Sequence, residues 1–174
     1  RFESRGLGDV YKRQALHKVR VINANGDLSR FESYGLPVIP DSLPDWPGPL
    51  AGILSCLDWL AQSHCECDLL LSCATDAPFI SSDLAFRLLQ ARTAENATLA
   101  QARSSGRRHP VFGLWPVSIR QDLRTALIED GLRKIDDFTD RFSLAIADFE
   151  GYPDPFSNVN QPDDIAAAEA YFDS

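Results

Sequence analysis

Apolar residues along this chain fall into two alternating patterns. Short continuous or period-two runs mark strands: Val19 to Ile22 ending in Asn23, Pro37 to Ile39 ending beside Asp41, an apolar run from Asp68 that stops at Thr75 and Asp76, Ala97 to Ala102, Val111 to Trp115, and Ser143 to Phe149. Between these runs the spacing becomes helical. Leu50, Ile53, Leu54, Leu57 and Leu60 recur at helical intervals behind Gly48 and Pro49, which predicts a helix packed on a sheet. Ser81 or Ser82 is placed to cap a helix carrying Leu84, Leu88 and Leu89. Ser118 is placed to cap another, carrying Ile119, Leu123 and Leu127, with Gly131 as its stop. Pro162 opens a closing helix with Asp163 and Asp164 in its first turn, where carboxylates suit the helix dipole.

Strands separated by helices predict a mostly parallel, three-layer α/β sheet. With 174 residues and 44% hydrophobic content, the chain can bury one well-packed core, so one domain is expected. A net charge of −8 argues against a nucleic-acid partner, since binding such a surface needs clustered Lys and Arg. No apolar stretch approaches the length of a membrane span and no charged region precedes an apolar one, so no membrane partner and a cytoplasmic location are expected. Cys56, Cys65, Cys67 and Cys73 show no paired spacing, and disulfides are not expected. His64, Cys65 and Cys67 are too few for a zinc site.

Residues 1–14 carry neither strand alternation nor a helical stripe, and the chain contains no Met. They read as a non-native leader, leaving 15–174 as the domain. Gly6, Gly8 and Lys12 fit neither common glycine fingerprint.

The candidate chemistry is acidic and amide. Ligands collect at the carboxyl ends of strands in open α/β sheets, so Asp76, just past an apolar run, is a candidate to hold metal or phosphate. The Asp before Pro78 is equally ordinary turn chemistry. Asp41 offers a carboxylate that can accept from both guanine N1–H and its exocyclic amine; the competing assignment is an Asx turn with Ser42. Asn23 ends a strand beside it. Gly48 and Gly52 flank a helix start, where free N–H groups receive anions or where the missing side chains let helix and strand approach. Asn158 and Asn160 share one face of an extended segment and suit a heterocycle or phosphate, unless Asn160 only caps the closing helix. Arg107, Arg108 and His109 form a compact basic cluster: a solvated loop, or a contact for an anionic substrate or partner.

Three segments in order, PDSLPDWPGPLAGI at 40–53, ATDAPF at 74–79 and DPFSNVNQPDD at 154–164, resemble the molybdenum cofactor guanylyltransferases. VINANGD at 21–27, HPVFGLWP at 109–116 and GLRKIDDF at 131–138 agree with that family, so the resemblance spans about Ala15 to Phe172. It implies a three-layer α/β/α Rossmann-like nucleotidyltransferase that transfers GMP from GTP to molybdenum-molybdopterin and releases pyrophosphate. Asp76 matches the family's catalytic magnesium-binding aspartate, with Mg²⁺ as the implied cofactor. Asn23 and Asp41 match nucleotide-contacting positions, and the pterin is implied near Asn158 and Asn160. A molybdoenzyme or its chaperone is the implied recipient of the finished cofactor.

Family members begin with a strand and a Leu-Ala-Gly-Gly-x-Ser-x-Arg-Met-Gly-x-Asp-Lys loop that cradles the triphosphate, and no such segment occurs in this sequence. A sheet incomplete at its N-terminal strand, missing also the loop and first helix, is therefore expected, along with loss of transfer activity. Two alternatives stand beside the guanylyltransferase: a sister enzyme using CTP for the same pterin, and a non-catalytic remnant that binds pterin or partner.

Overall fold

In the computed structural model, the residues described are 19–43, 48–64 and 66–172. The leader, Gly6, Gly8, Lys12, Ala15 to Lys18, Cys65 and the stretch from Pro44 to Pro47 lie outside them.

The first strands are shorter than their apolar runs. β1 (Ile22–Asn23) pairs in parallel with β2 (Val38–Ile39), Ile22 opposite Val38 and Asn23 opposite Ile39. A 3-10 helix, Leu28–Tyr34, connects them. Asp27 caps it by accepting the Ser29 N–H at 3.0 Å, and Gly35 ends it at φ 61°, where a glycine avoids the Cβ clash of left-handed backbone.

The larger sheet runs in the order β3 (Leu69–Ser72), β5 (Arg107–Pro116), β4 (Leu99–Ser104), β6 (Leu144–Phe149). β3, β4 and β6 share one direction, and β5 runs against both neighbours. The sheet is thus mostly parallel as the spacing predicts, with one antiparallel strand that periodicity does not reveal. β5 enters through a two-residue turn, Ser105 and Gly106, at φ 49° and 77°. Both positive values belong to the hairpin turn that matches strand twist. The basic cluster Arg107 to His109 accordingly lies in a strand, correcting its assignment to a loop.

β5 also carries a bulge. Ala102 faces His109 while its neighbour Gln101 faces Gly113, so Pro110, Val111 and Phe112 swing out of register with β4. Pro cannot donate to a ladder and is accommodated where the ladder breaks. Ser72 of β3 secures the excursion: its hydroxyl donates to the Val111 carbonyl at 2.5 Å and accepts the Trp115 indole N–H at 2.8 Å.

Alternation along the strands sends apolar groups to both faces. On one face, α1 (Pro49–Ser63), α3 (Arg120–Ile128) and α4 (Ile135–Thr139) bury Leu50, Leu54, Leu57, Leu123 and Phe138 against Leu70, Leu99 and Trp115. On the other, Leu84 and Leu88 of α2 (Leu84–Ala94) pack on Ala100, Ala102, Ala145, Ala147 and Phe149. The one core expected from length is therefore two apolar layers sharing a sheet. α5 (Pro162–Phe172) closes the chain.

Three local expectations are corrected. β3 is only half-buried except at Leu70, because among the described residues it is paired on one edge alone. Neither Ser81 nor Ser82 caps α2; Asp83 occupies the cap position without a side-chain bond, and the Ser81 hydroxyl donates to its carboxylate at 2.5 Å. Ser118 lies inside a 3-10 turn, Val117–Ile119, that precedes α3, so its backbone is already helical where a cap must be extended.

Replacing Trp115, which is 1% exposed, with Phe removes the donor to Ser72 and leaves a gap beside β3. A loss of about 1–3 kcal/mol in urea unfolding is expected. A change below about 0.5 kcal/mol would show that the indole bond does not secure the bulge.

Candidate functional site

The sequence-selected residues gather into two hydrogen-bonded clusters. In the first, the carboxylate of Asp41 accepts the Asn23 amide at 2.9 Å through one oxygen and the Asn25 amide at 2.8 Å through the other. Asn25 Oδ1 takes the backbone N–H of Asp41 at 2.9 Å, and the second Asn23 amide hydrogen goes to the Ile39 carbonyl at 2.9 Å. The Ser42 N–H donates to Ser55 Oγ of α1 at 2.8 Å, which ties this segment to the helix. Asn25 was missed in the sequence. Its signal is the two-residue step from Asn23, which puts both amides on one side of extended backbone.

Gly52 explains how close this cluster sits to α1. A Cβ there would lie 2.0 Å from Asn23 Oδ1 and 2.8 Å from its Cγ. Of the two roles open to Gly52, close approach is the one the geometry requires. Gly48 occupies the helix N-cap at φ 125° with no side-chain bond.

The second cluster forms where β3 ends. Asp76 sits in a turn past the strand, half-buried, and its carbonyl accepts the Val159 N–H at 2.7 Å. Asn158 and Asn160 flank that residue and are exposed while Val159 is half-buried, as alternation requires. Phe79 meets the rings of Tyr171 at 5.3 Å and Phe172 at 5.5 Å, fastening α5 beside the same turn. The Asp164 carboxylate accepts the backbone N–H of Asn160 at 3.0 Å and of Gln161 at 2.9 Å. Capping at this end therefore comes from the helix's own acid.

Two recesses open on either side of this segment. Thr75, Asp76, Val159 and Glu169 line one of about 480 Å³. A larger one, about 700 Å³, is lined by Asn158, Asn160, Asp154, Arg107, His109 and the bulge residues Pro110 to Phe112. The basic cluster thus meets the asparagines, though its members differ. Arg108 pairs with Asp136 at 3.1 Å and Asp140 at 3.6 Å, whereas Arg107 is exposed.

Asp154, the first residue of the 154–164 motif, has a role that residue spacing does not reveal. Its carboxylate accepts from Ser104 and Ser105 and from the Phe156 N–H. Burial pushes the carboxyl up, but these donors and nearby His109 outweigh it and hold it below the ordinary range. Burial is the leading cause lowering the His109 imidazole, with Asp154 opposing and Arg107 assisting. The trio is not a serine-hydrolase triad: Ser104, 3% exposed, lies between carboxylate and imidazole, so its hydroxyl is neither terminal nor accessible.

Asp76 is the candidate carboxylate for a divalent cation. Among the described residues no cluster of three or more His, Cys, Asp or Glu could hold a metal. Asp76 and Glu169 line the same open recess, and Mg²⁺ is typically bound through one or two carboxylates plus phosphates and waters. His64 Nδ1 lies 3.3 Å from Glu66 Oε1. Cys56 and Cys73 are free thiols. Among the described residues no helix is long and apolar enough to cross a membrane.

A mostly parallel three-layer sheet with acids and amides at strand ends defines a nucleotide-handling α/β domain. The family model for the MobA-like NTP transferase domain matches residues 9–142. A molybdenum cofactor guanylyltransferase of Rhodopseudomonas palustris is 50% identical over 149 residues, covering 85% of this chain and 71% of the relative. One from Cereibacter sphaeroides is 42% identical over 151 residues, covering 86% and 72%. The crystal structure of molybdopterin-guanine dinucleotide biosynthesis protein A from Archaeoglobus fulgidus superposes with a TM-score of 0.66 at 21% identity, over 88% of this chain and 78% of that one. A protein from Aquifex aeolicus gives 0.65 at 15% identity, over 81% and 70%. The chain belongs to the molybdenum cofactor guanylyltransferase family of MobA-like nucleotidyltransferases.

Gly52→Ala tests the first cluster. An added Cβ forces the Asn23 amide off Ile39 and Asp41, so a modest fall in melting temperature is expected together with GTP binding weakened roughly tenfold, equivalent to about 1.4 kcal/mol. Unchanged GTP affinity would remove Asn23 from the positioning of Asp41.

Proposed function

We propose that this protein transfers GMP from GTP to molybdenum-molybdopterin: the pterin phosphate attacks the α-phosphorus, pyrophosphate leaves, and the guanine dinucleotide form of the cofactor results. The observation that carries the reading is the 50% identity over 149 residues to a named guanylyltransferase, joined to a site whose acids and amides suit each substrate.

Asp41 reads the base in this proposal. Asn23 and Asn25 each occupy one carboxylate oxygen, so the side chain cannot rotate and both oxygens keep a lone pair. That pair of acceptors matches guanine N1–H and its amine; adenine lacks the match, and CTP would present a different edge. Asp76 holds Mg²⁺, which supplies charge neutralisation for the phosphates when bound. Asn158, Asn160 and the larger pocket receive the pterin, and exposed Arg107 supplies a cation for its phosphate. A molybdoenzyme or its chaperone takes the product.

The domain reading at 15–174 is retained as part of the proposal. Among the described residues β1 and β3 each pair on one edge alone, and α1 packs on β1, β2 and β3 alike, which supports a further central strand followed by the triphosphate loop and a helix. Adding such a strand, loop and helix should sharpen thermal melting and raise pyrophosphate release. Equal melting and equal release with and without it would count against the incomplete-sheet reading.

In the loop-restored protein, Asp41→Asn places an amide donor against the donors of Asn23 or Asn25. The preference for GTP over ATP and CTP should collapse, and an unchanged ratio of turnovers would remove Asp41 from base reading. Asp76→Asn should cut pyrophosphate release from GTP and molybdopterin on the order of a hundredfold or more, as expected for loss of a metal carboxylate. Robust release by that variant would sink the metal assignment.

A further inference from the structure

The larger pocket contains a hydrogen-bonded chain that phosphate and metal chemistry leave unused. Ser104 Oγ, at the end of β4, lies 2.9 and 2.7 Å from the two Asp154 oxygens and 2.7 Å from His109 Nε2. A serine hydroxyl has one hydrogen, and an ionised carboxylate can only accept. If that hydrogen went to the imidazole, bare oxygen lone pairs would face the carboxylate at hydrogen-bond distance. It therefore goes to Asp154, and Ser104 must accept from Nε2–H.

This assignment settles the other ring nitrogen. A neutral imidazole protonated on Nε2 carries a lone pair on Nδ1. Nδ1 has no hydrogen-bond partner among the described residues. The ring is also held in place, 4.7 Å from Phe156 on one side and edge-on to Phe112 at 6.3 Å. Phe156 in turn donates its N–H to Asp154 at 2.9 Å, so carboxylate, hydroxyl and ring are fixed as one unit. His109 lines the same pocket as Asn158 and Asn160.

We propose that Ser104, braced by Asp154, is a positioning residue that holds His109 as the neutral Nε2–H tautomer, so that Nδ1 accepts a hydrogen bond from a ring or amino N–H of the bound pterin. The proposal rests on the reading of this pocket as the pterin site. Asn158 and Asn160 supply amide donors and acceptors, and His109 adds an acceptor whose direction cannot reverse. Protonation would turn Nδ1 into a donor and oppose the same N–H. The charged groups nearest the ring are Asp154 and Arg107, while Arg108 is committed to Asp136 and Asp140.

The test begins with the side-chain ¹⁵N spectrum of His109 in the intact protein, identified by its loss in His109→Gln. One protonated nitrogen, Nε2, is expected near neutral pH; an Nδ1–H tautomer would overturn the proposal. Molybdopterin affinity should be flat above neutral pH and fall as acid protonates Nδ1, and His109→Gln should abolish that dependence. Ser104→Ala should mix the two tautomers and weaken molybdopterin binding five- to tenfold while leaving GTP affinity unchanged. Wild-type affinity in Ser104→Ala, or an unaltered acid profile in His109→Gln, would refute the positioning role. If molybdopterin does not bind the wild-type protein at all, the pocket assignment fails, and the tautomer measurement still reports separately on the Ser104 chain.

Discussion

One backbone hydrogen bond organises the second cluster: the Val159 N–H to the carbonyl of Asp76. It joins a segment near the end of the chain to the turn that follows β3, across more than eighty residues of sequence. Because extended backbone alternates, anchoring Val159 beside Asp76 turns Asn158 and Asn160 to the opposite recess. The metal candidate and the pterin candidates are thereby neighbours that face different volumes. Phe79 reinforces the bond by holding Tyr171 and Phe172, so one short motif carries a candidate carboxylate, a backbone acceptor and an aromatic anchor.

The bulge in β5 shapes the larger recess. A regular strand would keep Pro110 to Phe112 in line with β4; the slipped register pushes them outward and leaves Arg107 and His109 at the wall of the pocket. Ser72 and Trp115 hold that deformation from the neighbouring strand, and Ser104 sits at the hairpin's closing pair, opposite Arg107. Packing on one face of the sheet and polar geometry at its edge are thus connected through single hydroxyls.

The first cluster follows a different logic. It depends on how closely α1 approaches β1, a distance that only a glycine at 52 permits. Once helix and strand meet, the Asn23 amide is confined between Gly52, Ile39 and Asp41, and the carboxylate is fixed by the amides of Asn23 and Asn25. This is preorganisation by amides, which hold both carboxylate oxygens in place.

Much of this was legible in the amino-acid order. The helical stripe from Leu50 to Leu60 determined α1 and its buried face, the apolar run ahead of Asp76 determined a strand with an acid at its end, and the ordered motifs determined the family. Those features are local, or depend on residue type at short spacing. Tertiary structure decided the rest: that β5 runs antiparallel through a Ser105–Gly106 turn, that the basic cluster splits between Arg108 in ion pairs and Arg107 in solvent, that Asn25 joins Asn23 on Asp41, and that Ser104 and Asp154, fifty residues apart, share a hydrogen bond. Side-chain spacing records which face a residue occupies within its own element, but which elements meet depends on pairing partners and helix approach summed over the whole core, and a hydrogen bond a few tenths of an ångström long or short is decided only there.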